Sequence, residues 1–467
     1  MTFVGRVAEL DDLRDWWENA GDRPALVWGR RRVGKTALLE RFAQGIDRVV
    51  FHTGVGDPAP LELARLADAV RISGFEGLRD LDANPYRDWR DALDHLAAQA
   101  ESEPALLVLD EFPELMHGAP TLPGVLRAFL DHTTGRTQLR ILICGSAVRT
   151  MWSIQETRAP LYGRFNLALP VFPFRPHEAA LMLRDLSPED RALVYGLVGG
   201  MPLYLGWWRQ DRTVSENLLR LVGSPGGSLL TEGRLIMETE IGSGQGGAVL
   251  YAIASGAAQY NEIQGAAGFD PTRALDRLQE ARLITRVVPA GEDPRKSRRS
   301  VYRIADNFLA FYLRPLRKHR TEIERGRGRT VLPAIIREID GHMGAAYEDA
   351  FRECLWRKAA DGALDLGDVG DIVEIGSWWR NDGQVEIDAA VFGQRELTRK
   401  PVAVGEAKWG KSVNGLRLRS KLTAKAASLT PDVDQLRYII CARSEVVMPE
   451  GADIIAITAA DIFPDPG

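Results

Sequence analysis

The spacing of apolar and polar residues changes several times along this chain, and each change predicts a different element. Near the N-terminus, Phe3-Val4-Gly5-Arg6 leads into Glu9-Leu10 and Leu13, the spacing of a helix that runs to Asn19. Ala25 to Trp28 is a short apolar run and reads as a strand. Thr36 to Gln44 follows with Leu38, Leu39 and Phe42 on one helical face and Gly45 where a helix stops. Asp47 to His52 predicts a second strand and Glu62 to Arg71 a helix. Ala105 to Asp110 and Leu139 to Cys144 are continuous apolar runs, the pattern of strands buried on both faces of a parallel sheet. Phe165 to Leu169 predicts a further strand. The first third of the chain is therefore expected to be α/β.

Beyond Pro173-Phe174-Arg175-Pro176, helical spacing runs from His177 to about Arg220, interrupted by Gly199-Gly200-Met201-Pro202. Ser224-Pro225-Gly226-Gly227 and Gly242-Ser243-Gly244-Gln245-Gly246-Gly247 read as linkers around another short helix. The elements then shorten. Val249, Leu250 and Ile253 mark one helix, Asn261 to Ala266 a second and Pro271 to Arg282 a third. Leu283 to Val288 and Ser300 to Ile304 flank the turn Gly291-Glu292-Asp293-Pro294. Three helices and a hairpin predict a winged helix. From Gly341 a helix buries Tyr347, Phe351 and Leu355, with Glu348 and Arg352 adjacent at i,i+4. Asp371 to Trp378 and Gln384 to Val391 form a hairpin about Asn381-Asp382-Gly383, and Pro401 to Trp409 a third strand.

Composition narrows the class. The 467 residues are 45% apolar and 26% charged, typical of a globular protein with ample core. A net charge of −5 means that any nucleic-acid-binding surface is local. Such a surface is present in sequence: Arg295, Lys296, Arg298 and Arg299 lie on the hairpin, and Arg314, Arg317, Lys318, Arg320, Arg325, Arg327 and Arg329 follow it. Such a cluster suits phosphate contacts, and DNA is the expected partner. A winged helix that serves only as a packing module is the other reading. Cys144, Cys354 and Cys441 lack metal spacing, which with the absence of a long apolar run or signal-like N-terminus predicts a cytoplasmic protein with no membrane contact.

The chemistry-bearing motifs are few. Gly29-Arg30-Arg31-Arg32-Val33-Gly34-Lys35-Thr36 fits the phosphate-binding loop G-x-x-x-x-G-K-[ST] between strand and helix. Its backbone N–H groups and the helix end would cradle phosphates, Lys35 would reach the β- and γ-phosphates, and Thr36 would hold Mg²⁺. The expected cofactors are ATP and Mg²⁺. Asp110 is placed to hold the metal shell and Glu111 to polarise the attacking water. Ser146 is placed either to sense the γ-phosphate or simply to cap a helix. Arg164 is a candidate arginine finger. The segment around Phe3 to Arg6 either closes over the adenine or packs on the sheet. In the last segment Glu386 and Asp388 share a strand face, as do Glu406 and Lys408. With Glu348 they form a candidate phosphodiester-cleaving set, in which Asp388 and Glu406 are the metal ligands.

On these residues the chain resembles the prokaryotic DEXX-box P-loop ATPases, in or close to the AAA+ and STAND groups, with a C-terminal PD-(D/E)xK restriction-endonuclease-like domain. The resemblance also rests on Leu109-Asp110-Glu111-Phe112, Cys144-Gly145-Ser146, Leu161-Tyr162-Gly163-Arg164, Gly199 to Tyr204 and Tyr302 to Phe308. It implies a parallel sheet of order 5-1-4-3-2 in an ATPase domain over 1–176, and a helical lid over 177–241 in which Pro202 contributes to the nucleotide site. It further implies a winged helix over 242–305, a basic helical connector over 306–340 and a nuclease-like α/β domain over 341–467. Homo-oligomers are compatible with it. The chain departs from the family in having Val7 where a glutamate is usual, and in lacking Pro-Asp before Glu386-Ile387-Asp388.

Overall fold

The computed structural model describes residues 3–19, 21, 23–75, 77–133, 135–241, 244–396 and 398–466. Two compact units divide between residues 173 and 174. Of the sequence readings, Met1, Thr2 and the linker residues Gly242 and Ser243 lie outside the described residues.

In the first unit the elements run α1 (Val7–Asn19), β1 (Ala25–Trp28), α2 (Lys35–Ala43), β2 (Val49–Thr53), α3 (Ala59–Ile72), α4 (Trp89–Gln99), β3 (Ala105–Asp110), α5 (Phe112–Gly118), α6 (Leu122–Thr133), β4 (Leu139–Gly145), α7 (Val148–Ser153) and β5 (Leu167–Pro170). The sheet is wholly parallel, with order β2-β3-β4-β1-β5, which is the implied 5-1-4-3-2 read from the other edge. The central strands β1 and β3 are buried throughout, as continuous apolar runs require in a sheet covered on both faces. Parallel pairing brings the carboxyl ends of all five strands to one edge. There β1 delivers the glycine-rich loop and β3 delivers Asp110.

The second unit begins with the helices α8 (Pro176–Met182), α9 (Pro188–Val198), α10 (Pro202–Trp207), α11 (Val214–Leu221) and α12 (Ser228–Leu235). Helices α13 (Gln245–Ala254), α14 (Tyr260–Ala267) and α15 (Thr272–Glu280) precede the antiparallel hairpin β6 (Ile284–Val287) and β7 (Val301–Ile304). Gln245 to Gly247, read as linker, already belong to α13. After α16 (Asn307–Phe311) and α17 (Arg320–Glu324), α18 runs unbroken from Gly328 to Ala360. The boundary read at 340/341 therefore falls inside one helix. The physical reason is that Leu332, Ile335, Ile339, Met343, Ala346 and Ala350 continue one buried stripe across it. The glycines Gly341 and Gly344 weaken a helix without breaking it. The helix ends at Gly362, with φ of 66°, where Ala363 N–H donates to the Lys358 carbonyl at 2.7 Å.

The C-terminal elements are β8 (Asp371–Trp379), β9 (Glu386–Arg395), β10 (Thr398–Lys408), β11 (Ser412–Asn414), α19 (Gly415–Ala426), β12 (Arg437–Ala442), β13 (Glu445–Val447), β14 (Ile455–Ile457) and α20 (Ala459–Ile462). Five of the strands form a mixed sheet of order β14-β12-β10-β9-β8, antiparallel across β8, β9 and β10 and parallel across β10, β12 and β14. The hairpin loop is docked on this sheet rather than projecting freely. Ala290 N–H donates to the Ser377 carbonyl at 2.9 Å, Gly291 N–H to Glu374 at 3.0 Å, and Arg299 Nη1 to the Trp379 carbonyl at 2.8 Å.

Candidate functional site

The glycine-rich loop turns sharply, with left-handed backbone at Arg32 (φ 69°) and Gly34 (φ 92°). A left-handed arginine is costly, and such a position persists only where its surroundings enforce it. A Cβ on Gly29 would meet the Val171 carbonyl oxygen at 2.3 Å, so the first loop residue must be glycine. Arg30, Val33 and Lys35 are buried and Arg31 is exposed, facing Glu114 at 3.8 Å. Gly34 caps α2 without a side chain, which leaves the first-turn N–H groups for an anion. Lys35 Nζ donates to the carbonyl oxygens of Gly29 and Arg30, at 3.0 and 3.1 Å, and so lies within the loop.

Thr36 Oγ1 donates to Asp110 Oδ2 at 2.8 Å, across the two strands' carboxyl ends. The other Asp110 oxygen accepts from Glu111 N–H at 2.9 Å, and Asp110 is 1% exposed. Its buried charge, after burial itself, pushes the neighbouring Cys144 thiol well up. Glu111 has left-handed backbone (φ 48°), and its Oε2 accepts from Ser146 Oγ at 2.8 Å and Ser146 N–H at 3.2 Å. Ser146 therefore orients the carboxylate that follows the strand. The hydroxyl and carboxylate oxygens of Thr36 and Asp110 are hard donors that fit Mg²⁺, and the loop's open N–H groups fit a polyphosphate. Arg164 makes a bidentate pair with Asp131, both contacts to Nη2 being 2.9 Å, and also donates to the Pro160 and Tyr162 carbonyls.

Two contributors escaped the sequence reading. Arg6, 3% exposed and left-handed (φ 60°), donates through Nη2 to the Val33 carbonyl at 2.9 Å and pairs with Glu9 at 2.8 Å. The N-terminal motif thus braces the phosphate loop. Beside β3, fully buried Glu62 faces His52 at 3.2 Å and accepts from Val55 and Asp57 N–H groups at 2.9 and 3.1 Å. Burial drives the His52 pKa down although Glu62 opposes it. The motif containing Arg6 was a visible signal; nothing local marked His52 and Glu62 as partners.

In the second unit Asp388 (β9) and Glu406 (β10), each 6% exposed, meet at the end of the mixed sheet. Lys408 Nζ lies 2.8 Å from Glu406 Oε1 and 3.6 Å from Asp388 Oδ2, which also accepts from Ala407 N–H at 2.9 Å. Glu406 is held on its other side by Lys425 of α19, at 2.7 and 2.9 Å, a residue the sequence reading did not include. Burial, then Glu406, raises the Asp388 pKa. Burial alone would lower Lys408, but its hydrogen bond to Glu406 and the field of Asp388 raise it. Glu348 reaches this region from α18, and its pKa is raised to about 7 by burial and then by Asp388. Glu386 is exposed and pairs with Arg303 at 3.3 Å. Among the described residues no group of three or more His, Cys, Asp or Glu is placed to hold a metal ion. The acids Asp388 and Glu406 suit a divalent ion by donor type, while two ammonium groups neutralise Glu406.

Of the hairpin cations, Arg299 is paired with Glu292, whereas Arg295, Lys296 and Arg298 are exposed, Lys296 lying 4.0 Å from Asp293. Pro202 is the first residue of α10 in the second unit. No helix among the described residues is long and apolar enough to cross a membrane.

Comparison with known proteins agrees with the phosphate loop's geometry. Residues 3–207 match a family described as an ATPase domain predominantly from Archaea. Residues 312–422 match archaeal and bacterial proteins of unknown function. An uncharacterised protein of Methanocaldococcus jannaschii is 24% identical over 404 residues, spanning 83% of this chain and 84% of its own. The Walker-type ATPase of Pyrococcus abyssi shares the fold with a TM-score of 0.51 at 22% identity, over 67% of this chain and 96% of that one. The Aeropyrum pernix ORC2 protein aligns with a TM-score of 0.43 at 16% identity, over 71% and 95% of the two chains. With the loop, Asp110 and Glu111 at one sheet edge, the match over residues 3–207 makes this part of the chain a P-loop ATPase domain.

Proposed function

We propose that ATP binding and hydrolysis in the first unit control a second unit that binds DNA and cleaves it with a divalent metal. The observation that carries the reading is the meeting of Asp388, Glu406 and Lys408 on adjacent strands, with Lys408 within 3.6 Å of both acids. Phosphodiester hydrolysis uses acids of this kind to hold a metal and a cation to steady the anionic transition state.

In the ATPase domain Lys35 and the loop N–H groups bind the phosphates, and Thr36 and Asp110 would hold Mg²⁺. When bound, Mg²⁺ would supply charge neutralisation at the phosphates. Glu111, oriented by Ser146, accepts the proton of the attacking water. Arg164 supplies charge only if it leaves Asp131. In the second unit Asp388 and Glu406 would hold a divalent ion, with Glu348 beside them. Arg295, Lys296 and Arg298 contact the DNA backbone, with Arg299 fixing the loop that carries them.

A second reading follows from Lys425. Glu406 between two lysines is a self-neutralised ion cluster, which suits a binding module that no longer cleaves. The test is a nicking assay with Mg²⁺ or Mn²⁺, with and without ATP. The first reading expects metal-dependent nicking that Asp388→Ala and Lys408→Ala abolish while ATP turnover persists. A wild-type protein that nicks nothing under any of these conditions, yet unfolds more easily as Asp388→Ala, overturns cleavage in favour of the binding module.

A further inference from the structure

Two cavities in the second unit share Arg314 and His342 in their walls. The outer one, about 940 Å³, is lined by Arg314, Arg317, Lys318 and Arg337, with Glu338 as its acid. All four cations are exposed at their residues. Glu338 pairs with Lys318 at 2.8 Å, which leaves a clear positive excess. The Arg317 guanidinium lies 3.6 Å from the Tyr251 ring centroid, and Arg314 Nε donates to the Ala254 carbonyl at 3.1 Å. Both guanidiniums are thereby held in place at little further entropic cost on binding.

The polar lining of the inner cavity, about 280 Å³, includes Tyr302, Arg303, Asn307, Glu348 and Asp349 besides the shared residues. Its volume lies just below the ~300–1,000 Å³ range of small-molecule sites, too small for a base pair with both its backbones. His342 is 7% exposed and stands between the two cavities. Its Nε2 lies 2.8 Å from the Gly196 carbonyl, which can only accept, so Nε2 carries the proton. Nδ1 is then an acceptor, and it has no hydrogen-bond partner among the described residues.

We infer that these adjacent cavities bind a single strand of nucleic acid, with its phosphates on Arg314, Arg317, Lys318 and Arg337 and one nucleotide inserted beside Tyr302. Basic side chains that track a backbone next to an aromatic face are the physical recipe for single-strand binding. A free phosphate would use one of the four cations, whereas a strand repeats its charge along the cleft. The inference rests on the nucleic-acid reading of the second unit, but it uses a surface separate from the hairpin cations. It also places the strand beside Glu348, on the approach to Asp388.

The test measures binding of a labelled single-stranded oligonucleotide and of its duplex to the full chain in EDTA, by fluorescence anisotropy across a salt series. Lys318→Gln/Arg337→Gln is expected to weaken single-strand binding about tenfold and to flatten the salt slope by about 1.4, at ~0.7 for each lost contact. Tyr302→Leu is expected to weaken it about tenfold without changing that slope. Both variants should melt as wild type does, which separates a binding loss from misfolding. Unchanged single-strand affinity in Lys318→Gln/Arg337→Gln, with duplex binding lost on neutralising Arg295, Lys296 and Arg298, overturns the cleft and leaves the DNA reading intact. Wild type that binds neither nucleic acid overturns both. Cleft-dependent binding of poly-glutamate in place of the oligonucleotide also overturns the inference, since an acidic peptide is then the occupant.

Discussion

Glu111 shows how much of the candidate chemistry turns on single side chains. Its left-handed backbone and its two hydrogen bonds from Ser146 aim one carboxylate oxygen, and the hydrogen bonds depend on β3 and β4 being neighbours. Glu111→Gln is expected to keep ATP binding and to slow turnover about 10²–10⁴-fold, the usual worth of a general base. Turnover at the wild-type rate would remove Glu111 from that role. Lys35→Ala should abolish nucleotide binding or turnover, read by labelled-nucleotide titration and phosphate release. Ser146→Ala should slow turnover roughly tenfold or more, the value of a hydrogen bond to a charged group, with nucleotide affinity preserved. At His342 the expected effect is on stability. Burial lowers its pKa in the fold, so the stability tied to its neutral form is full above the unfolded value of 6.5 and is lost as pH falls through the folded pKa. His342→Gln should therefore lose less melting temperature than wild type between neutral and mildly acidic pH. Parallel pH profiles for the two proteins would contradict that account.

The long helix α18 carries the lesson at the scale of elements. Tyr347, Phe351 and Leu355 were legible as one buried face, but the residues upstream of Gly341 looked like a separate basic connector. Contact with α9, α11 and α17 along its length supports the helix across the boundary expected at 340/341. Gly344 is an internal helical glycine around which an added Cβ meets nothing within 4 Å. Gly344→Ala should therefore stabilise the protein by about 0.5–1 kcal/mol, measured by thermal or denaturant unfolding. A destabilised variant would mean that the helix is bent or crowded at that turn. The hairpin differs from expectation in the opposite sense: local turn chemistry was legible, yet its loop is tied to β8 through Ser377, Glu374 and Trp379.

At the scale of the whole molecule, two compact units put ATP chemistry and the Asp388–Glu406–Lys408 cluster on separate cores. Substitutions in one cluster are therefore expected to leave the intrinsic chemistry of the other measurable. Asp388→Ala should leave basal ATP turnover within about twofold of wild type while removing metal-dependent nicking, both assayed on the same preparation. A collapse of ATP turnover in Asp388→Ala would show that the second unit's integrity is needed for the first. The acidic average of the chain conceals the basic cavity, because charges scattered through 467 residues sum without regard to position.

What the sequence determined by itself was local. Apolar runs marked the parallel strands, because burial on both faces leaves little room for polar residues. The phosphate loop was legible because its glycines, lysine and threonine are consecutive. The period-two spacing put Glu406 and Lys408 on one face without any knowledge of the sheet. The tertiary structure alone decided the partnerships: Arg6 with the Val33 carbonyl, Ser146 with Glu111, Lys425 with Glu406, and His342 with the Gly196 carbonyl. These pairs are remote in sequence, so no helical or strand period links them. They exist because strand order and helix packing bring particular side chains to the same point, where burial makes an unpartnered polar group costly.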